Sequence, residues 1–213
     1  MALTLHIGNR RYSSWSLRGY LIVARSGAAF DTNVIFLDVD DTAAGIAKVS
    51  PAGRVPVLVD GDLSIWDTLA IAEYMNEQRP EAQLWPADRA RRARARSISA
   101  EMHSGFVELR THMPVDLCST KPGQGHTPGA LADARRVQSI WNDALAGSGG
   151  PFLFGQFSIA DAMFAPVVTR FATYAVDVDA TCRTYMEAIE AMPELVSWRA
   201  GAANEQPIAK LKL

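Results

Sequence analysis

The stretch VPVLVDGDLSIWDTLAIAEYMNEQ, residues 55–78, constrains the fold more than any other. Two short apolar runs flank Asp60-Gly61, a dipeptide suited to a two-residue type I′ turn, so the first half reads as a β-hairpin. Apolar residues then recur at Leu69, Ala70, Ala72, Tyr74 and Met75, close to one helical face. Upstream, Leu3 to Ile7 alternates and reads as a strand. SWSLRGYLIVARSG reads as a helix, with serine at its start and Gly27 where a C′ glycine belongs. TNVIFLDV, residues 32–39, reads as a second strand. Strand, helix and strand in that order imply parallel pairing. Residues 41–49 are short and helical or irregular. The order β-α-β-α-β-β-α makes a complete small α/β unit over residues 1–78.

RPEAQLWPADR carries two prolines and interrupts the pattern, so residues 79–87 read as a linker. Everything from Asp88 onward reads as helix. The segments run from Asp88 to Leu117, from Ala130 to Ala146, from Ser158 to Tyr174, from Ala180 to Ala191 and from Glu194 to Ala202. STKPGQGHTPG and GSGGPFLFGQF are loops between them. The fold class is therefore α/β plus all-α, with an all-helical domain over residues 88–213.

Composition narrows the function classes. A net charge of −2 gives no reason to expect nucleic acid or an anionic membrane as partner. RARRARARS, residues 89–97, is the local exception, and its alternation with alanine reads as a solvated helix face. Cys118 and Cys182 lie far apart without metal-ligand spacing, so no disulfide framework and no metal site is expected. A reducing cytoplasm fits. The N-terminus does not read as a signal peptide, and no apolar run approaches the ~18 residues of a membrane span. A GxSxG elbow, a GxGxxG turn and a P-loop are all missing, which argues against serine-hydrolase, dinucleotide and P-loop chemistry.

Three constellations carry chemistry. At Val55-Pro56 the proline removes a ladder donor. It is either an edge-strand proline or a cis bond that leaves the backbone of Val55 free for an extended peptide. Asp67-Thr68 stands at a helix start and reads as a plain cap. It also suits a zwitterionic amino-acid head: the helix tip takes a carboxylate and Asp67 takes an ammonium. YSSWSLR, residues 12–18, clusters Ser13, Ser14 and Ser16 where the first strand hands over to the first helix. One serine is a cap; a second, with free helix N–H groups, would stabilise a thiolate.

The chain resembles the cytosolic glutathione transferases in YSSWSLR, AGRVPVLVDGDLSIWDTLAIAEY and FSIADAMFAPVV, motifs that span nearly all of it. The resemblance implies a thioredoxin-like N-terminal domain followed by an all-helical one. It implies a cis Pro56, Val55 pairing with the cysteinyl backbone of glutathione, and Asp67 and Thr68 holding the γ-glutamyl group. Trp15 and Arg54 belong to the same glutathione site. The serine-rich start most resembles the zeta-like motif SSCxxR, which makes Ser13 the sulfur activator and Ser14 its near neighbour. Tyr12 is a rival. Trp15 stands where those relatives place cysteine, which puts their isomerase and disulfide-type activities in doubt. The acceptor site is expected at Met102, His103, Phe106 and Arg110, with Met102, Phe106 and Arg110 spaced along one helical face. The implied activity is conjugation of glutathione, a co-substrate, to a small electrophile by a homodimer with no other cofactor. A non-catalytic glutathione-binding protein and a glutathione-dependent peroxidase or thiol transferase are the alternatives. Ser158 and Asp161 have capping-box spacing and are read as structural.

Overall fold

The computed structural model describes residues 3–37 and 39–208. Strand β1 (Leu3–Ile7) leads into helix α1 (Ser14–Arg25) and strand β2 (Phe30–Val34). A short helix α2 (Thr42–Ala47) precedes the hairpin β3 (Val57–Asp60) and β4 (Leu63–Trp66), and helix α3 (Thr68–Gln78) follows. The sheet order is β2-β1-β3-β4, with β1 parallel to β2 and antiparallel to β3. The central strands bury Leu5, Ile7, Val57 and Leu58 completely.

Two expectations shift. The second strand begins at Phe30 and ends at Val34 rather than spanning 32–39, because its parallel partner runs from Leu3↔Phe30 to Ile7↔Val34 and then ends. Register follows the partner strand and not the local apolar run. In the hairpin, Asp60 pairs with Leu63, so the two loop residues are Gly61 and Asp62 rather than Asp60 and Gly61. Gly61 has φ +57° and Asp62 is not in the left-handed region, the pattern of a II′ turn and not a I′ turn. The freed Asp60 carboxylate instead accepts a 2.6 Å hydrogen bond from Tyr74 Oη.

A 3-10 turn at Pro80–Ala82 joins this unit to helices α4 (Arg89–Ser104), α5 (Val107–His112), α6 (Pro128–Leu145), α7 (Ile159–Tyr174), α8 (Ala180–Glu190) and α9 (Pro193–Ala203). Helix α7 is apolar nearly all round and buried along almost its whole length, the mark of a central helix. It packs against α1, α4 and α8, so it ties the two halves together. Its start is the expected capping box: Ser158 N–H donates to Asp161 Oδ2 at 2.8 Å, and Leu153 N–H donates to Oδ1 at 3.0 Å. Burial pushes the Asp161 carboxyl up to about 6 despite these donors.

The expected long helix from Asp88 to Leu117 is broken. It stops at Ser104, passes through Gly105, and restarts after Phe106, which sits at φ 60°. A Cβ at position 105 would lie 2.9 Å from Glu101 O, so only glycine lets the chain turn here. Met102, Phe106 and Arg110 therefore do not share one helical face.

Candidate functional site

A cleft of about 690 Å³ opens between the α/β unit and α4. It is lined by Trp15, Ala52, Arg54, Val55, Pro56, Trp66, Asp67, Thr68, His103 and Ser104. Six of these are residues singled out for glutathione in the sequence, and His103 was assigned to the acceptor. Ala52, Trp66 and Ser104 carried no signal of their own.

The wall from Val55 to Thr68 is set by the hairpin. The Val55-Pro56 peptide is cis. The backbone N–H and C=O of Val55 enter no hydrogen bond among the described residues. Across the cleft, Asp67 caps α3 through Oδ1, which accepts from Leu69 N–H at 2.8 Å. Its backbone sits at φ 71° and ψ 138°, a region suited to glycine. Its other oxygen meets His103 Nε2 at 2.7 Å, so the helical half reaches the hairpin wall of the cleft through one side chain. Thr68 is 1% exposed, and its hydroxyl is buried without a hydrogen-bond partner among the described residues. A buried hydroxyl left unpaired is uncommon.

The serine loop meets the cleft only through Trp15. Ser13 is the N-cap of α1; its Oγ accepts from Ser16 N–H at 3.3 Å and donates to Ser16 Oγ at 2.8 Å. Ser16 Oγ also accepts from Gly8 N–H at 2.9 Å. Either hydroxyl of the Ser13/Ser16 pair can donate to the other, so Ser13 can turn its hydrogen outward while Ser16 donates back. Ser14, the first helical residue, is buried, and its hydroxyl has no hydrogen bond among the described residues. Neither Ser13 nor Ser14 belongs to the cleft lining. Tyr12 turns elsewhere: its hydroxyl accepts from Ile208 N–H at 3.4 Å.

The structure also shows how this loop is held, which no local motif announced. Arg11 Nε donates to Asp116 Oδ1 at 2.8 Å, and the N–H groups of Arg10 and Arg11 donate to the Glu205 carboxylate at 2.9 and 3.1 Å. Trp198 Nε1 donates to Arg10 O at 2.9 Å. Burial alone would raise the Asp116 carboxyl, but Arg11, Ser119 and Lys121 more than offset it and hold it at about 2. Partners separated by about a hundred residues or more leave no spacing to read.

The residues assigned to the acceptor site divide. Met102 and Phe106 are core residues, 0% and 7% exposed. His103 lines the cleft and packs edge-on against Trp15, with ring centroids 5.0 Å apart. Arg110 lies with its guanidinium 4.9 Å from the Trp15 ring centroid. Arg18, the last residue of the YSSWSLR motif, lies 4.6 Å from the same ring. Among the described residues, no group of His, Cys, Asp and Glu is arranged to hold a metal ion, and no helix is long and apolar enough to cross a membrane.

Comparison with known proteins agrees with this geometry. The family model of the glutathione S-transferase N-terminal domain matches residues 12–78, and that of the C-terminal domain matches residues 90–201. A Caenorhabditis elegans protein named "Probable maleylacetoacetate isomerase" is 30% identical over 112 residues, covering 53% of this chain and 51% of that one. The chain thus spans about half the length of this relative. A "Stringent starvation protein A homolog" from Pasteurella multocida is 26% identical over 158 residues, covering 74% and 70% of the two chains. Among solved structures, a glutathione transferase homolog from Burkholderia GL BGR1 with bound glutathione superposes with a TM-score of 0.75 at 23% identity, covering 96% of this chain and 100% of that one. The N-terminal domain is thus thioredoxin-like and the C-terminal domain helical, and the chain belongs to the glutathione S-transferase family.

Proposed function

We propose that this protein binds glutathione in the cleft and transfers its sulfur to a small electrophile. One observation carries the reading. An unpaired peptide backbone at Val55, a carboxylate at Asp67 and an unpaired hydroxyl at Thr68 converge in one cleft beside the start of α1. An extended tripeptide with a free amino-acid head complements that set. Val55 takes its main chain. Asp67 takes the γ-glutamyl ammonium, while Thr68 and the tip of α3 take the carboxylate beside it. Arg54, exposed on the rim, faces a carboxylate at low cost.

The tripeptide then lays its thiol at the N-terminus of α1. The helix tip and the Ser13 hydroxyl lower the thiol pKa, and the proton leaves to solvent. Ser13 steadies the anion as a zeta-like activator, with Ser14 as the second hydroxyl. The thiolate attacks an electrophilic carbon held between the domains, and the leaving group departs with its electron pair. The rate gain comes from thiolate stabilisation and from holding two reactants together. By family analogy the working unit is a homodimer.

A second reading, binding without turnover, draws on the inward hydrogen bond from Ser13 to Ser16. Capture on glutathione-agarose followed by a model aryl halide assay separates the two. The proposal expects capture and turnover, with Asp67→Ala losing capture and Ser13→Ala keeping capture while turnover falls about 10- to 100-fold. Capture without turnover leaves only the second reading. No capture refutes both.

A further inference from the structure

The turn between β1 and α1 is held from outside itself. Asn9 closes it locally, its C=O accepting from Tyr12 N–H at 3.3 Å and from Ser13 N–H at 2.9 Å. In between, the successive N–H groups of Arg10 and Arg11 both donate to one carboxylate, that of Glu205 just beyond α9, at 2.9 and 3.1 Å. The neighbouring carbonyls are also taken from a distance. Arg10 O accepts from Trp198 Nε1 at 2.9 Å, and Arg11 O accepts from Leu117 N–H at 3.1 Å. The Glu205 side chain is 6% exposed, and its Oε1 lies 3.8 Å from Arg10 Nη1.

These holds are not equal. Successive backbone N–H groups in a turn form a concavity suited to an anion, and hydrogen bonds to an ionised acceptor are roughly twice as strong as neutral ones. Trp198 and Leu117 each supply one neutral bond. Asp116 grips Arg11 through the far end of a long side chain, a looser link to the backbone. Glu205 supplies two charge-assisted bonds to the backbone itself. Just downstream that backbone becomes Ser13, whose Oγ caps α1 by accepting from Ser16 N–H at 3.3 Å. Glu205 lines no part of the cleft, so its influence on a bound thiol passes through this turn.

We propose that Glu205 is a positioning residue: it clamps the Arg10–Arg11 turn from the C-terminal side and so sets the Ser13 hydroxyl at the tip of α1, where the thiolate is stabilised. Hydrogen bonds weaken steeply when misaligned, so a small shift of the turn costs the thiolate its donor. It costs little binding, because the hairpin wall holds the peptide and its amino-acid head. The inference rests on the transferase reading for the sulfur, but the clamp is testable without glutathione.

The test uses the full chain with Glu205→Gln, which loses the charge and one acceptor, and with Glu205→Ala, which loses both acceptors. Circular dichroism checks folding. Amide hydrogen exchange followed by NMR reports the clamp. In Glu205→Gln the N–H groups of Arg10, Arg11 and Ser13 should exchange ~10-fold faster or more, while those of Leu69 and Leu153, bonded elsewhere, keep the parent rate. Ultraviolet titration of bound glutathione reports the sulfur. Its thiol pKa should rise by about 0.5 unit or more in Glu205→Gln and further in Glu205→Ala, with the glutathione Kd within about 3-fold of the parent. In a Ser13→Ala background Glu205→Gln should leave that pKa unmoved, because the hydroxyl it positions is gone. A general structural defect shifts both backgrounds alike.

Unchanged exchange at Arg10 and Arg11 overturns the clamp whether or not glutathione binds. Faster exchange with an unmoved thiol pKa overturns the positioning role and leaves the transferase reading standing. A pKa shift of equal size with and without the Ser13 hydroxyl overturns it too. A parent that binds no glutathione, or binds it with an unshifted thiol, while Glu205→Gln speeds exchange through Ser13, upholds the placement of Ser13 by Glu205 and sinks the transferase reading.

Discussion

Replacing Asp67 separates two roles held by one side chain. Its φ of 71° with ψ 138° is where a non-glycine residue costs about 1–3 kcal/mol. The carboxylate offsets part of that strain. It caps Leu69 N–H at 2.8 Å, a contact that contributes about 0.5–2 kcal/mol relative to alanine but only a few tenths relative to glycine. It also meets His103 at 2.7 Å, but with the His103 and Asp67 side chains 30% and 45% exposed that pair contributes at most about 1 kcal/mol. Asp67→Ala keeps the strained backbone and loses both contacts, so it should destabilise by about 1–2 kcal/mol. Asp67→Gly loses the same contacts but relaxes the backbone, so it should be about 1–3 kcal/mol more stable than Asp67→Ala. In the proposed complex both variants lose one charge-assisted bond to the glutathione ammonium. That is about 1.5–3 kcal/mol, or about 10- to 150-fold in Kd. Urea unfolding and calorimetric titration with glutathione measure the two effects separately. If Asp67→Ala is as stable as Asp67→Gly, the strain argument fails. If Asp67→Gly binds glutathione like the parent, the ammonium contact fails.

Three further outcomes follow from the geometry. A Cβ at Gly19, inside α1, would lie 2.9 Å from Pro56 Cγ. In Gly19→Ala the helix-propensity gain of about 1 kcal/mol offsets an overpacking cost of about 1–3 kcal/mol. Stability by urea unfolding should therefore fall by about 0–2 kcal/mol while glutathione affinity falls. The Asp116 carboxyl has a folded pKa of about 2 against an ordinary 3.8, so its contribution of about 2 kcal/mol is present above about pH 4 and is lost as pH falls through 2. Asp116→Asn should therefore be less stable by that amount at pH 7, and unfolding curves for the two proteins should converge near pH 2. Ser14→Ala should leave glutathione affinity within a few-fold and lower aryl halide turnover less than Ser13→Ala does.

Much of the frame was legible because it is encoded locally. The hairpin, the helix starting after Asp67 and the capping box at Ser158 each need only a few neighbouring residues to declare themselves. The hairpin wall of the cleft shared that advantage, since Arg54, Val55, Pro56, Asp67 and Thr68 all lie within 15 positions of one another. What failed was set by distant partners. The β2 register follows β1; the turn of α4 into α5 is the local exception, set by Gly105 fitting against Glu101 O four residues back. The clasp of Arg11 with Asp116 and of Arg10 and Arg11 with Glu205 joins the start of the chain to its middle and its end. Arg18 closes the YSSWSLR motif, but its burial was not legible there; it comes from the packing of α7, whose Met163 O accepts from its Nε.

The claim beneath all of this is that the first domain grips a tripeptide by its backbone and leaves its sulfur ionised at the tip of α1. The most direct measurement is a pH titration of bound glutathione, followed by the ultraviolet absorbance of the thiolate in the binary complex. The account predicts a thiol pKa lowered from about 8.5 to about 7.5 or below, with Ser13→Ala moving it back toward the free value. A bound thiol that titrates like free glutathione, or a parent protein that binds none, would contradict it.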